Sequence, residues 1–360
     1  TEPSGLYIHV PFCQRKCAYC DFFSAFPVGN GINDYLSAIG STAKLRGGQF
    51  KDYTFDTVYI GGGTPSVLGR DIKRLLKDVR ENFNVLPDAE ITAEVNPESA
   101  AEFIPAAAES GVNRISVGVQ SGNNAMLETL GRRHMVSDIL NTVSLIRKCG
   151  IKNMSLDLMI ALPGSRLDTL AADIDFVLSL QPEHISAYIL KKEPRTRLFF
   201  EDIPLPDDDA AADQYLYTCE RLEGAGYTHY EVSNFAKPGF CSRHNLKYWQ
   251  GGEYLGLGPA AHSYINGKRS YYKRDMKAFL NLEPPVEDGD GGSREERIML
   301  GLRLKEGVDL KAVYGTVPET VLKKLDPLKR AGYIISNGTS VRLTDKGMLL
   351  SNSIITELTV

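Results

Sequence analysis

The sequence predicts a parallel α/β fold of barrel type, full or partial, followed by a small winged-helix-like C-terminal module. Two observations predict the barrel: β-rich runs alternate at least six times with helix-spaced apolar segments, and none of the turns carries a dinucleotide-binding signature. A third observation sets off the last part of the chain, where the pattern changes from Glu295 onward. A length of 360 residues accommodates one barrel of roughly 250 residues plus a second, smaller unit.

The β-like runs are LYIHV (6–10), FDTVYIG (55–61), EITAEV (90–95), NRISVGV (113–119), SLDLMI (155–160) and HISAYIL (184–190). Between them, residues 98–111 and 136–150 space their apolar side chains as helices do and end at Gly111 and Gly150, where a helix commonly stops. A barrel places its active site at the C-terminal ends of its strands, and most of the unusual residues fall there. Residues 204–227 read as a capped helix, and NLEPPVEDGDGG (281–292) reads as a hinge or mobile loop. Beyond it, two helical stretches precede IIS-NGT-SVRLT, two short β-like runs around a tight turn. No dense arginine-lysine face accompanies this module, so it is expected to pack or act as a lid rather than read DNA. The expected units are 1–230, 231–290 and 291–360.

Hydrophobic residues make up 42% and charged residues 24%, an ordinary globular composition, and the net charge of -4 disfavours a broad nucleic-acid footprint. There is no basic leader followed by an apolar segment and cleavage site, and no apolar run approaches the roughly 18 residues of a membrane span. A cytoplasmic location is therefore expected. In that compartment the six cysteines do not predict a disulfide framework. Cys149 and Cys219, alone on helix-like segments, are expected to be small core residues.

The remaining cysteines include the densest chemical signal. LYIHVPFCQRKCAYCDFF (6–23) sets Cys13, Cys17 and Cys20 in a Cys-x3-Cys-x2-Cys spacing directly after the first β-run. Four thiolates would close a zinc site or fully ligate an iron–sulfur cluster, whereas three leave one iron of a cubane open. A structural zinc site and incidental thiols are the bland alternatives. The loop resembles the signature of the radical S-adenosylmethionine (SAM) superfamily. That resemblance implies a [4Fe-4S] cluster whose open iron is chelated by the amino and carboxylate groups of SAM, a cofactor cleaved on reduction to methionine and a 5′-deoxyadenosyl radical. It also implies a partial (β/α)6 barrel of TIM type.

Further segments resemble the oxygen-independent coproporphyrinogen oxidase-like branch of the superfamily. GGGTPS (61–66) could be only a turn; as the family's methionine-binding motif it implies that Gly62, Gly63 and Thr64 lie beside SAM. Glu94 in EVNPE could be a solvated rim charge, and the branch's Glu-x-Asn-Pro segment implies instead a partner for the SAM amino group. By the same resemblance Gln120 and Asp157 contact the ribose, Arg132 meets the SAM carboxylate, and Tyr7 and Tyr19 lie beside the cluster and the adenine.

Within that branch, HNLKYW (244–249) is similar to the His-Asn-x-x-Tyr-Trp hallmark of the HemW family of heme chaperones. It implies a heme-associated extension over 231–290, with His244 as a candidate iron ligand and Tyr248 and Trp249 as flat surface for a porphyrin. Packing is the alternative for this motif, with a histidine hydrogen-bonded to backbone and a buried aromatic pair. His262 and Cys241 are alternative ligands, while His9 is expected to orient a cofactor or fix the barrel rim. After the third cysteine the dehydrogenase of the branch continues Gly-Cys-Asn, but this chain reads Asp21-Phe22-Phe23, which puts substrate gripping and a second SAM in doubt.

The expected function is that of a heme chaperone that passes heme to a membrane or respiratory acceptor. An electron donor and peripheral membrane association accompany that expectation, and nucleic acid does not. The alternatives are coproporphyrinogen III dehydrogenase activity by radical decarboxylation, radical modification of another small molecule, and, remotely, a cluster-sensing DNA regulator.

Overall fold

The computed structural model describes residues 2–359. Six strands, β1 (Ser4–Val10), β2 (Thr54–Gly62), β3 (Asn84–Val95), β4 (Arg114–Gln120), β5 (Asn153–Ile160) and β6 (His184–Ile189), run parallel and neighbour one another in chain order. Helices intervene between successive strands, as right-handed parallel crossovers require. The sheet does not close on itself. Strand Tyr254–Leu257 joins β1 in parallel, and His262–Ile265, Lys268–Tyr271 and Val286–Asp290 extend that side antiparallel. Asn234–Ala236 and Thr228–Glu231 extend the β6 side. The fold is thus a partial (β/α)6 barrel with added edge strands.

Alternation along these strands separates two chemistries. Ile8, Ile60, Ala93, Val117, Leu156 and Ile185 are buried in the apolar core, and each such side chain removes about 1.5–3 kcal/mol worth of apolar surface from water if its size is that of valine or larger. The opposite face carries Tyr59, Glu94, Ser116, Asp157 and Tyr188, all lining one cavity inside the barrel. Because successive side chains point to opposite faces, a run such as SLDLMI fills the core and equips the interior in the same few residues.

The short helix Arg243–Trp249 packs against the end of the barrel opposite the strands' C-termini. Its Ser242 cap accepts from Asn245 N, and Glu90 of β3 accepts from the backbone N–H groups of Arg243 and His244, both at 3.1 Å. A carboxylate at a helix N-terminus is favourably placed for those unpaired N–H groups. Lys247 ties the other end to the chain by a bond to Pro3 O at 2.8 Å and an ion pair with Asp56.

The stretch expected to be a hinge, 281–292, is only partly a loop. Val286–Asp290 pairs with Lys268–Tyr271 as the last strand of the sheet, because edge pairing satisfies backbone groups that a loop would leave to water. At this edge the charged, Gly-rich sequence VEDGD discourages further strand addition.

The C-terminal module contains a three-stranded sheet of Val308–Asp309, Ser340–Leu343 and Ile334–Asn337 with helices around it. Gly338 at φ 61° makes the tight turn between the last two strands. The module is zipped to the barrel edge: Val232 N donates to Arg303 O at 3.0 Å and Lys305 N donates to Tyr230 O at 3.0 Å. Beside this seam Asp345 meets His229 at 3.0 Å and also pairs with Lys305, next to the buried Cys219. Cys149 is half-buried at a helix end and packs against the core.

The hydrogen bond from His229, with Lys305 beside it, holds the Asp345 carboxyl down at about 2. A depressed carboxylate stabilises the fold above its unfolded pKa and loses that contribution as pH falls toward the folded value. The urea-midpoint difference between wild type and Asp345→Asn is therefore expected to be constant above about pH 5 and to shrink below about pH 4. A difference independent of pH from 6 to 3 would assign the seam to packing instead.

Candidate functional site

The cysteine loop leaves the C-terminal end of β1 and is closed at its base by backbone bonds, Cys13 N to Ala25 O at 3.0 Å and Ala25 N to Pro11 O at 2.7 Å. Ala18 is held from both sides, its N–H donating to Leu130 O and its carbonyl accepting from Leu198 N. This framework turns all three half-buried cysteines toward one cavity of about 510 Å³ at the strand ends. Burial pushes the Cys13 and Cys20 thiols up, so capture of a metal there displaces protons.

Opposite the thiols, the glycine segment owes its composition to packing. Gly62 has φ 113°, and a Cβ there would lie 2.6 Å from the His9 ring; at Gly63 it would lie 2.6 Å from Phe12 O. Only glycine lets this turn lie against β1 and the cysteine loop, with its backbone facing the cavity. Thr64 Oγ1 lies 3.4 Å from Cys13 Sγ and accepts from Asn96 Nδ2 at 3.1 Å.

Asn96 also accepts from Arg132 at 2.8 Å, and Arg132 donates to Gly118 O at 3.0 Å and approaches Cys17 Sγ at 3.5 Å. Its buried Nε has no partner among the described residues, nor does the Nε of Arg114. Glu94 accepts from Tyr59 OH at 2.8 Å and from Gly62 N at 3.1 Å. Burial raises its carboxyl to about 7, an effect those hydrogen bonds only partly offset. Asp157 accepts from Ser116 Oγ at 3.1 Å and is raised by burial to about 6. Gln120 closes β4 at φ 70°, beyond a register shift that follows Gly118, and also lines the cavity.

Among the sequence-predicted residues, Cys13, Cys17, Cys20, Tyr19, Gly62, Gly63, Thr64, Glu94, Gln120, Arg132 and Asp157 line this one cavity. Two are elsewhere. Tyr7 faces a neighbouring cavity, its hydroxyl 3.0 Å from His9 Nδ1. His244 is 1% exposed, with Nδ1 2.8 Å from Thr57 Oγ1, Nε2 2.8 Å from the Tyr248 hydroxyl, and its ring stacked on Tyr59. Both nitrogens are thus occupied, burial lowers its pKa to about 3, and no iron can reach it in this arrangement. The expectation that His244 ligates heme is corrected accordingly: it is a neutral floor residue.

Asn96, Arg114, Tyr188 and Asn245 also line the cavity and were missed by sequence reasoning. Asn96 had a signal in the Asn-Pro that ends β3, and Arg114 had one as a charge opening a buried strand. Asn245 had one as the asparagine of HNLKYW, but nothing local places that motif at this cavity, because its helix is distant in the chain.

A partial barrel with three thiols, a glycine turn and two carboxylates lining one interior cavity defines a radical SAM protein, and sequence comparison agrees. The family profile described as the radical SAM superfamily matches residues 7–177, and the HemN C-terminal domain matches residues 294–350. Heme chaperone HemW of Lactococcus lactis is 34% identical, covering 98% of this chain and 96% of the relative. HemW of Bacillus subtilis is 36% identical, covering 97% of each. The chain belongs to the HemW family of radical SAM proteins. In three dimensions it is similar to coproporphyrinogen III oxidase (HemN) from Escherichia coli, a radical SAM enzyme, with a TM-score of 0.85 at 24% identity, over 99% of this chain and 90% of the other. Family membership implies a [4Fe-4S] cluster and SAM as cofactors. The donor set fits them: three convergent thiols, a glycine turn lining the cavity, and a buried guanidinium nitrogen without a partner among the described residues. No helix among the described residues is long and apolar enough to cross a membrane.

Proposed function

We propose that this protein is a heme chaperone that binds a SAM-associated [4Fe-4S] cluster and heme, and passes the heme to an acceptor protein, with reducing equivalents from a separate donor. One observation supports it most. The cavity of the cysteines and a second, smaller cavity share a wall, Asp21 and Phe22, where the dehydrogenase pattern would read differently. Such a partition suits two cofactors held side by side more than one substrate placed against SAM.

In this reading Cys13, Cys17 and Cys20 hold the cluster, the Gly62–Thr64 backbone and Arg132 hold the amino-acid part of SAM, and Glu94 accepts from its amino group. Gln120 and Asp157 take the ribose and Tyr19 the adenine. When bound and reduced, the cluster supplies an electron to the sulfonium of SAM. The chain's own part is orientation and charge: Glu94 and Asp157 offset the sulfonium, and the two buried arginines balance the carboxylates. Residues 1–230, 231–290 and 291–360 serve respectively as SAM barrel, heme-associated extension and packing module, and acceptors are met at the cytoplasmic face of a membrane.

Titration of the anaerobically reconstituted protein with hemin, with and without SAM, tests the function. Saturable binding near one heme per chain supports it; decarboxylated product from coproporphyrinogen III, with no heme bound, overturns it in favour of the dehydrogenase. A pH dependence tests the SAM site. Glu94 titrates near 7 and must be ionised to accept from the amino group, so SAM affinity is expected to fall below pH 7 by up to about tenfold per unit. Glu94→Gln should lower that slope by about one proton. An unchanged slope in calorimetry would remove Glu94 from the site.

A further inference from the structure

We propose that heme docks in the second cavity, with His262 as its axial iron ligand and Arg274 as the partner of a propionate. The assignment rests on the heme-binding reading above and deepens it by naming the site.

The histidines decide it by elimination. The chain has six. His9 is 5% exposed, with its ring nitrogens 3.0 Å from the Tyr7 hydroxyl and from Phe23 O. His134 lies between Val119 O and Glu98, and His184 between Ser155 and the Tyr230 hydroxyl. His229 is 3% exposed in the seam with the C-terminal module, and His244 is fully engaged in the floor. His262 alone is exposed and has no hydrogen-bond partner among the described residues. Partial burial, with Arg269 nearby, lowers its pKa against the opposing pull of Asp288, so its lone pair is available to iron at neutral pH.

The surroundings meet the other needs of a metalloporphyrin. The cavity, about 310 Å³, is lined by Phe22, Phe23, Tyr248 and Tyr254 as well as His262 and Arg274. Phe22 is 68% exposed at the rim, an aromatic face with no protein to cover it. Arg274 uses one amino group on Asp21 O at 2.7 Å and is otherwise exposed, leaving donors for a carboxylate. His262 stacks on Tyr271, its partner across the strand pair, which fixes the ring's direction. The volume lies at the low end of the roughly 300–1,000 Å³ typical of ligand pockets. One edge of the macrocycle is therefore held and the rest stays open, an arrangement that permits hand-over. The HNLKYW motif contributes indirectly: Tyr248 forms part of this cavity while Asn245 of the same helix faces the SAM cavity.

The test is hemin titration of the reconstituted full chain, wild type against His262→Ala, His262→Gly and Arg274→Ala, read by Soret absorption and electron paramagnetic resonance. The alanine variant is expected to lose the histidine-ligated spectrum and to bind at least tenfold more weakly. The glycine variant should regain that spectrum on adding free imidazole, a rescue that a merely structural role would not give. Arg274→Ala should weaken binding and leave the ligation signature intact. Wild-type binding with an unaltered spectrum and affinity in His262→Ala overturns the site alone. Failure of the wild type to bind hemin at all, with its cluster intact, overturns the site together with the chaperone reading.

Discussion

Replacing any one of Cys13, Cys17 and Cys20 with alanine is expected to abolish stable cluster assembly and to weaken SAM binding by roughly tenfold or more. Among the described residues the three thiols are the only cysteines lining the 510 Å³ cavity, so no other can substitute. Two remaining ligands cannot hold a cubane against loss to solvent iron. Without the cluster, SAM keeps only the glycine backbone, the carboxylates and Arg132. The fold should survive, because the loop is held by backbone bonds through Cys13, Ala18 and Ala25 rather than by the sulfurs. Iron and sulfide analysis after anaerobic reconstitution, with far-UV circular dichroism as the folding control, checks both parts. Cys149→Ala and Cys241→Ala lie outside the cavity and should assemble normally. Full iron content in any of the three loop variants would break the assignment.

His244→Ala is expected to cost about 3 kcal/mol of stability while leaving heme bound per folded chain unchanged. The imidazole is enclosed among Thr57, Tyr59 and Tyr248, and its loss leaves two buried hydroxyls without their partner and removes the ring that Tyr59 stacks on. Tyr59 in turn donates to Glu94, so the SAM cavity feels the defect at second hand. Glutamine can bond one of the two hydroxyls and is expected to recover part of the loss. Urea unfolding gives the stability, and hemin titration of the folded fraction gives the load. A stable His244→Ala protein that no longer binds heme would restore His244 as a ligand.

Legibility in the sequence followed the range of the interactions. The six strands were readable because each is a short β-rich run; five of them differ from the predicted bounds by at most two residues at either end, while β3 begins six residues earlier, at Asn84. The cysteine loop was readable because its ligands lie within eight residues and their spacing has chemical meaning alone. Glu94 could be found because it closes its β-run, and a parallel barrel brings the strands' C-terminal ends to one face, whereas Asp157, inside β5, was reached only through the family resemblance. The turn in GGGTPS was legible as glycine-dependent, but its reason, contact with His9 and Phe12, lies fifty residues away. Val286–Asp290 was hidden because an edge strand of charged and glycine residues owes its form to its neighbour.

The sequence by itself determined the alternation of strands and helices that makes a parallel barrel-type fold, and the three-thiol loop, since periodicity and ligand spacing are local properties. Only the tertiary structure decided which histidine is free. A histidine's availability depends on what packs against both ring nitrogens, and for His244 those partners come from Thr57, far back in the chain, and from Tyr248, one helical turn onward. The same packing left His262 open beside the aromatic cavity, a difference that no reading of HNLKYW or AAHSY could make.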